Sequence, residues 1–80
     1  MGQVTVQIAT PKGVYTDTFN KTTKIQDVIK TAIEKMTLDG GDKFDLVYNG
    51  AVLQPVERPL VSFGLEGTVK LELVATGSGV

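Results

Sequence analysis

The sequence predicts an α+β fold in which a mixed sheet of four to five strands packs on one helix. Three patterns predict it. Apolar and polar residues alternate with period two near both ends of the chain, the mark of half-buried strands. Between them runs one apolar stripe of helical period. An Asn-Gly pair in the second half then marks a tight hairpin turn.

Val4, Val6 and Ile8 alternate with Thr5 and Gln7, giving a first strand with one apolar face. Pro11-Lys12-Gly13 ends it, and Val14 to Phe19 reads as the returning strand of a hairpin. In that second strand, inward Tyr15 and Phe19 leave Asp17 inward between them. A carboxylate there is costly unless it is paired or near an edge, and a bulge is one way out. Thr23, with Gln26 three residues later, fits a capping box. Ile25, Val28, Ile29, Ala32, Ile33 and Met36 then recur at intervals of three and four, and Asp39-Gly40-Gly41-Asp42 stops the helix.

Phe44, Leu46 and Tyr48 alternate with Asp45 and Val47 in a third strand. Asn49-Gly50 turns it into the short strand Ala51-Val52-Leu53. Pro55 to Gly67 is an irregular connection carrying Leu60, Phe63 and Leu65 under the sheet edge. Thr68 to Leu73 is the closing strand. The helix must bury its stripe on one face of the sheet. The first and last strands alternate most cleanly and pair centrally, in parallel. That arrangement is a β-grasp. With no repeat and no linker, residues 1–74 form the domain and 75–80 a flexible C-terminal tail.

Composition narrows the function. Eighty residues suffice for one domain. A domain of this size buries only about 60–65% of its unfolded surface, so its core must be efficient. The hydrophobic fraction of 41% can build such a core. The chain has no cysteine and no histidine, which removes the thiolate nucleophile, the usual general base and the common metal ligands. The expectation is a protein that is not an enzyme, with no cofactor and no metal site. Eight basic residues against nine acidic ones form no basic cluster, so neither nucleic acid nor an anionic membrane is an expected partner. With no membrane-length apolar run and no signal peptide, the reading is a cytoplasmic monomer.

The element order and several local patterns resemble ubiquitin across essentially the whole chain. Thr23-Lys24-Ile25-Gln26-Asp27-Val28 is similar to the start of ubiquitin's helix. Leu46-Val47-Tyr48-Asn49-Gly50-Ala51-Val52-Leu53 resembles its third strand, tight turn and fourth strand. Leu60, Ser62, Phe63 and Leu65 resemble the segment before its last strand, and Thr68-Val69-Lys70-Leu71 that strand itself. The resemblance implies a ubiquitin-like β-grasp.

It also implies two candidate sites. Ubiquitin-like modifiers are joined to targets by an isopeptide bond through a C-terminal glycine, after ATP-dependent activation. Glycine suits that step because no Cβ shields its carbonyl and its backbone threads a narrow channel. From Ala75 onward six residues span about 20 Å when extended. Here Gly77-Ser78-Gly79-Val80 replaces the family's Gly-Gly ending, and β-branched Val80 is a poor acyl donor. Removal of Val80 exposes Gly79, and a cut further in exposes Gly77. The alternative is an end without chemistry.

The second site is the outer sheet face, where Val47, Lys70 and Glu72 stand at positions of ubiquitin's recognition patch, with Thr10 and Pro11 at the first hairpin tip. A lysine and a glutamate beside Val47 penalise ordinary ubiquitin readers and call for other partners. The implied partners are ubiquitin-activating-like and conjugating-like enzymes, a processing protease and target proteins. The missing Gly-Gly and altered patch fit a divergent member, such as one of a bacterial ubiquitination-like system. A non-covalent ubiquitin-like interaction module is the alternative, followed by a sulfur carrier.

Overall fold

The computed structural model describes residues 2–39 and 41–78. Its elements follow the alternation and the stripe: strand β1 (Gln3–Thr10), strand β2 (Gly13–Asn20), helix α1 (Ile25–Lys35), strand β3 (Asp42–Tyr48), strand β4 (Ala51–Val52) and strand β5 (Gly67–Ser78), with a 3-10 turn at Leu60–Phe63. The sheet order is β2-β1-β5-β3-β4. β1 and β5 run parallel at its centre, and the remaining neighbours are antiparallel. The mixed sheet packed on one helix is a ubiquitin-like β-grasp, as the sequence predicts.

Only the inward set of each strand reaches the core. Val4, Val6 and Ile8 of β1 and Val69, Leu71 and Leu73 of β5 are buried against Ile25, Val28 and Ala32 of α1. Burial of each large side chain in this set contributes about 1.5–3 kcal/mol. Leu60 and Leu65, from the long connection, close the core from below the sheet edge.

The helix ends differ from the sequence reading. The Thr23–Gln26 capping box does not form; Lys24 is the N-cap and makes no side-chain capping bond. Backbone carbonyls of the long connection take the orphan donors instead, with Ile25 N–H on Arg58 O at 3.0 Å and Gln26 N–H on Val56 O at 2.9 Å. At the other end the helix stops at Lys35, before the Asp39–Asp42 segment. Leu38 N–H bonds Ile33 O at 2.9 Å and Thr37 N–H bonds Glu34 O at 3.3 Å, the Schellman pattern. Its left-handed residue is Thr37, at φ +53°, where glycine is usual.

Two hairpins show how turn chemistry sets register. Asn49 at φ +51° and Gly50 at φ +79° make the type I′ turn, pairing Val47 with Val52 and Tyr48 with Ala51. The β1–β2 pair is continuous from Gln3↔Asn20 to Thr10↔Gly13, so no bulge relieves Asp17. The carboxylate is paired instead: the Tyr15 hydroxyl donates to Asp17 Oδ2, and Thr18 N–H donates to Oδ1 at 2.8 Å. Asp17 also lies on β2, an edge strand.

The remaining difference concerns β5. The sequence reading places a tail from residue 75, whereas the strand continues to Ser78. Its last residues pair with the start of β3, Ala75 with Phe44, Gly77 with Lys43 and Ser78 with Asp42. The single irregularity in this ladder falls between Lys43 and Phe44, opposite Thr76. Open backbone at the edge of β3 supplies the hydrogen-bonding partner that a sequence pattern cannot register.

Candidate functional site

Because side chains alternate, the face of the sheet away from α1 is set by the residues between the core positions. The register places one row across all five strands: Val14 opposite Ala9, Ala9 opposite Glu72, Glu72 opposite Val47, and Val47 opposite Val52. Val14 is 66% exposed and Val52 39%. Glu72 is exposed in the middle of this apolar row. Lys70, one rung along, lies opposite Gln7 on β1. Gln7, Ala9, Val14, Val47, Lys70 and Glu72 line a shallow concavity of about 480 Å³.

The structure therefore brings Val47, Lys70 and Glu72 together. It does not add Thr10 or Pro11 to that concavity. Thr10 Oγ1 is engaged in its own turn, donating to Gly13 O at 2.7 Å and accepting from Lys12 N–H at 3.1 Å. Pro11 lines a second, largely apolar concavity of about 380 Å³ with Lys12, Thr37, Leu38, Phe44 and Ala75. There Lys12 Nζ donates to Thr37 O at 2.7 Å, tying the hairpin tip to the end of the helix. A cation at a helix C-terminus also meets the negative end of the helix dipole.

Sequence reasoning credited apolar character on this face to Val47 alone. Ala9, Val14 and Val52 share its row, and Val74, 42% exposed, stands two residues beyond Glu72 on β5. Their signal was the same period-two alternation, applied to strands two and four and carried past Leu73. Among the tail candidates, Gly77 lies in β5 opposite Lys43. Gly79 and Val80 lie outside the described residues.

One titration is visibly displaced. Burial, followed by the hydrogen bond and charge of Asp17, pushes the Tyr15 hydroxyl up to about 12. This keeps the phenol protonated as a donor and satisfies the half-buried Asp17 carboxylate from within its own strand. Among the described residues, no cluster of three His, Cys, Asp or Glu side chains is arranged to hold a metal. No helix among them is long and apolar enough to cross a membrane.

Sheet order, parallel central pair and crossing helix together define the ubiquitin-like β-grasp class. No protein-family model and no curated protein matches the sequence. Solved structures do match. Caldiarchaeum subterraneum ubiquitin aligns with a TM-score of 0.80 at 18% identity, covering 99% of this chain and 100% of that one. The ubiquitin-like domain of an Arabidopsis thaliana protein gives 0.80 at 14% identity, over 96% of this chain and 81% of that one. A designed protein based on ubiquitin gives 0.79 at 23% identity, over 99% and 98%. At these identities the likeness is one of fold.

Proposed function

We propose that this chain is a ubiquitin-like protein modifier, attached to targets through a glycine of its C-terminal segment. The observation that carries the reading is the course of β5. This strand leaves the centre of the β-grasp and leads without a turn into Ala75-Thr76-Gly77, where bulky side chains cease. A cut before Val80 exposes Gly79, and a deeper cut exposes Gly77. The glycine carboxylate attacks the α-phosphorus of ATP, forming an acyl-adenylate and releasing pyrophosphate. A cysteine thiolate of an activating enzyme displaces AMP, and a target lysine amine or hydroxyl then displaces the thiolate. All of this chemistry belongs to the partner enzymes.

Intact mass of the protein from its own cells, with ATP–pyrophosphate exchange by the activating enzyme purified from those cells, tests the reading. A shortened species that supports exchange is expected. Gly79→Ala abolishes conjugation if Gly79 is the donor, and unchanged conjugation moves the donor to Gly77. A terminal mass gain of sulfur for oxygen would instead mark a sulfur carrier.

A second reading, a non-covalent interaction module, is favoured by the row Val14–Ala9–Glu72–Val47–Val52. A partner covering these valines must also supply a cation to Glu72, since an unpaired buried carboxylate is strongly penalised. Full-length protein retaining Val80, with no exchange activity, decides for the module.

A further inference from the structure

We infer that the end of β5 is a latch: residues 75–78 are zipped onto β3 and must be peeled from it before the glycine-bearing segment can enter a partner enzyme. This rests on the modifier reading and adds a closed state to it.

Three features of the ladder make the segment both held and releasable. It is held because its register with β3 runs on past the core, through Ala75↔Phe44 and Gly77↔Lys43 to Ser78↔Asp42. Thr76 Oγ1 adds a bond to Lys43 O at 3.3 Å. It is releasable because β1 accompanies β5 only as far as Glu72, so the later residues have a strand on one side alone. The irregularity opposite Thr76 interrupts even that ladder. Val74, Ala75 and Thr76 are exposed, so none of them anchors the segment in the core. Among the described side chains of the segment, apolar support is the Ala75–Phe44 rung above the concavity shared with Pro11 and Leu38.

The geometry conflicts with activation while the latch is closed. A narrow channel takes a single extended chain whose backbone groups it pairs itself, and the glycine carboxylate must be free to attack the α-phosphorus of ATP in line. A segment zipped to Lys43 offers the channel a two-stranded ribbon. Opening must therefore precede adenylation, and a partner that binds the open segment drives it by mass action.

Amide hydrogen exchange on the full chain tests the closed state without any enzyme. The amides of residues 75–78 that face β3 are expected to exchange about three- to fivefold slower than in an unstructured peptide, and far faster than those of Val69 to Leu73. Exchange at the unstructured rate overturns the latch. A clamp tests its role. Asp42 and Ser78 are direct cross-strand partners, at a spacing of about 4.5–5.5 Å that a disulfide spans. The chain has no other cysteine, so Asp42→Cys with Ser78→Cys gives one bridge, placed in the form that ends at Gly79 once Gly79→Ala has identified Gly79 as the donor. Oxidised, the clamp should abolish ATP–pyrophosphate exchange by the cognate activating enzyme, and reduction should restore it. Equal exchange in both states overturns the latch. Failure of the modifier reading looks different: wild type, oxidised clamp and reduced clamp are all inert, while the amide protection is unchanged.

Discussion

The two halves of β5 carry the same backbone conformation and opposite kinds of support. From Gly67 to Glu72 the strand pairs with β1, and from Glu72 to Ser78 with β3, so the rung at Glu72 alone is paired on both sides among the described residues. Every second residue, Val69, Leu71 and Leu73, is buried. From Val74 to Ser78 only β3 remains, and the side chains at Val74, Ala75 and Thr76 are exposed. Backbone pairing alone nets little over water, so what makes a strand permanent is apolar burial on its face. One half is therefore structure, and the other is available for chemistry.

The strongest way to break this contrast is inside the first half. Leu71 is 2% exposed and sits on the β5 rung opposite Ile8. Leu71→Ala should cost about 2–5 kcal/mol in urea unfolding, through lost transfer energy and the cavity left behind. A loss below about 1 kcal/mol would show that the centre of the sheet is no better anchored than its extension.

A smaller effect lies at the helix end beside the second half. Thr37 is held left-handed at φ +53°, which a β-branched residue resists. Its carbonyl nonetheless receives Lys12 Nζ at 2.7 Å. Thr37→Gly keeps that carbonyl and relieves the strain, with a net gain of about 0.5–1 kcal/mol after the added freedom of the unfolded chain. Thermal unfolding reads the gain, and a destabilised variant would mean that the Thr37 side chain does more than occupy the turn.

β2 sharpens the comparison, because it too has a neighbour on one side only. It is fastened by side chains, through half-buried Tyr15 and Phe19 packed against the core and the Thr5–Thr18 hydroxyl bond to β1, while the Tyr15–Asp17 bond satisfies the carboxylate within the strand. Tyr15 titrates at about 12, raised mainly by burial and then by Asp17. The folded value lies above the unfolded one, so the contribution is whole below pH about 10 and is lost as pH rises from there through 12. In a Tyr48→Phe background, Asp17→Asn should lower the tyrosinate midpoint part of the way towards 10, leaving the burial share in place. An unmoved midpoint would assign the whole displacement to burial and leave the Asp17 bond no part in it.

Much of this was legible in the residues. Period-two alternation located β1, β3 and the inner half of β5, and helical periodicity located α1, because core burial dictates both patterns. The Asn49-Gly50 turn was legible because its backbone needs positive φ. What escaped were interactions between backbone groups distant in sequence: the carbonyls of Val56 and Arg58 that replace the Thr23 cap, and the β3 edge that captures residues 75–78. Neither leaves a side-chain pattern. In the candidate site, Val47, Lys70 and Glu72 followed from the alternation. Val14, Ala9 and Val52 joined them only through the cross-strand register.

The smallest expected effect falls on the second half itself. Truncation after Val74 removes the Ala75–Phe44, Gly77–Lys43 and Ser78–Asp42 rungs, the Thr76 hydroxyl bond and no buried side chain among the described residues. Each released carbonyl and amide of β3 turns to water, which offsets most of what the rungs contributed. The urea slope should therefore match that of the full chain, with stability lowered by less than about 1 kcal/mol. A reduced slope would show that the extension unfolds together with the core. A loss above about 2 kcal/mol would make residues 75–78 part of the structural half of the strand, and a latch that costs that much to open could not serve as a donor segment.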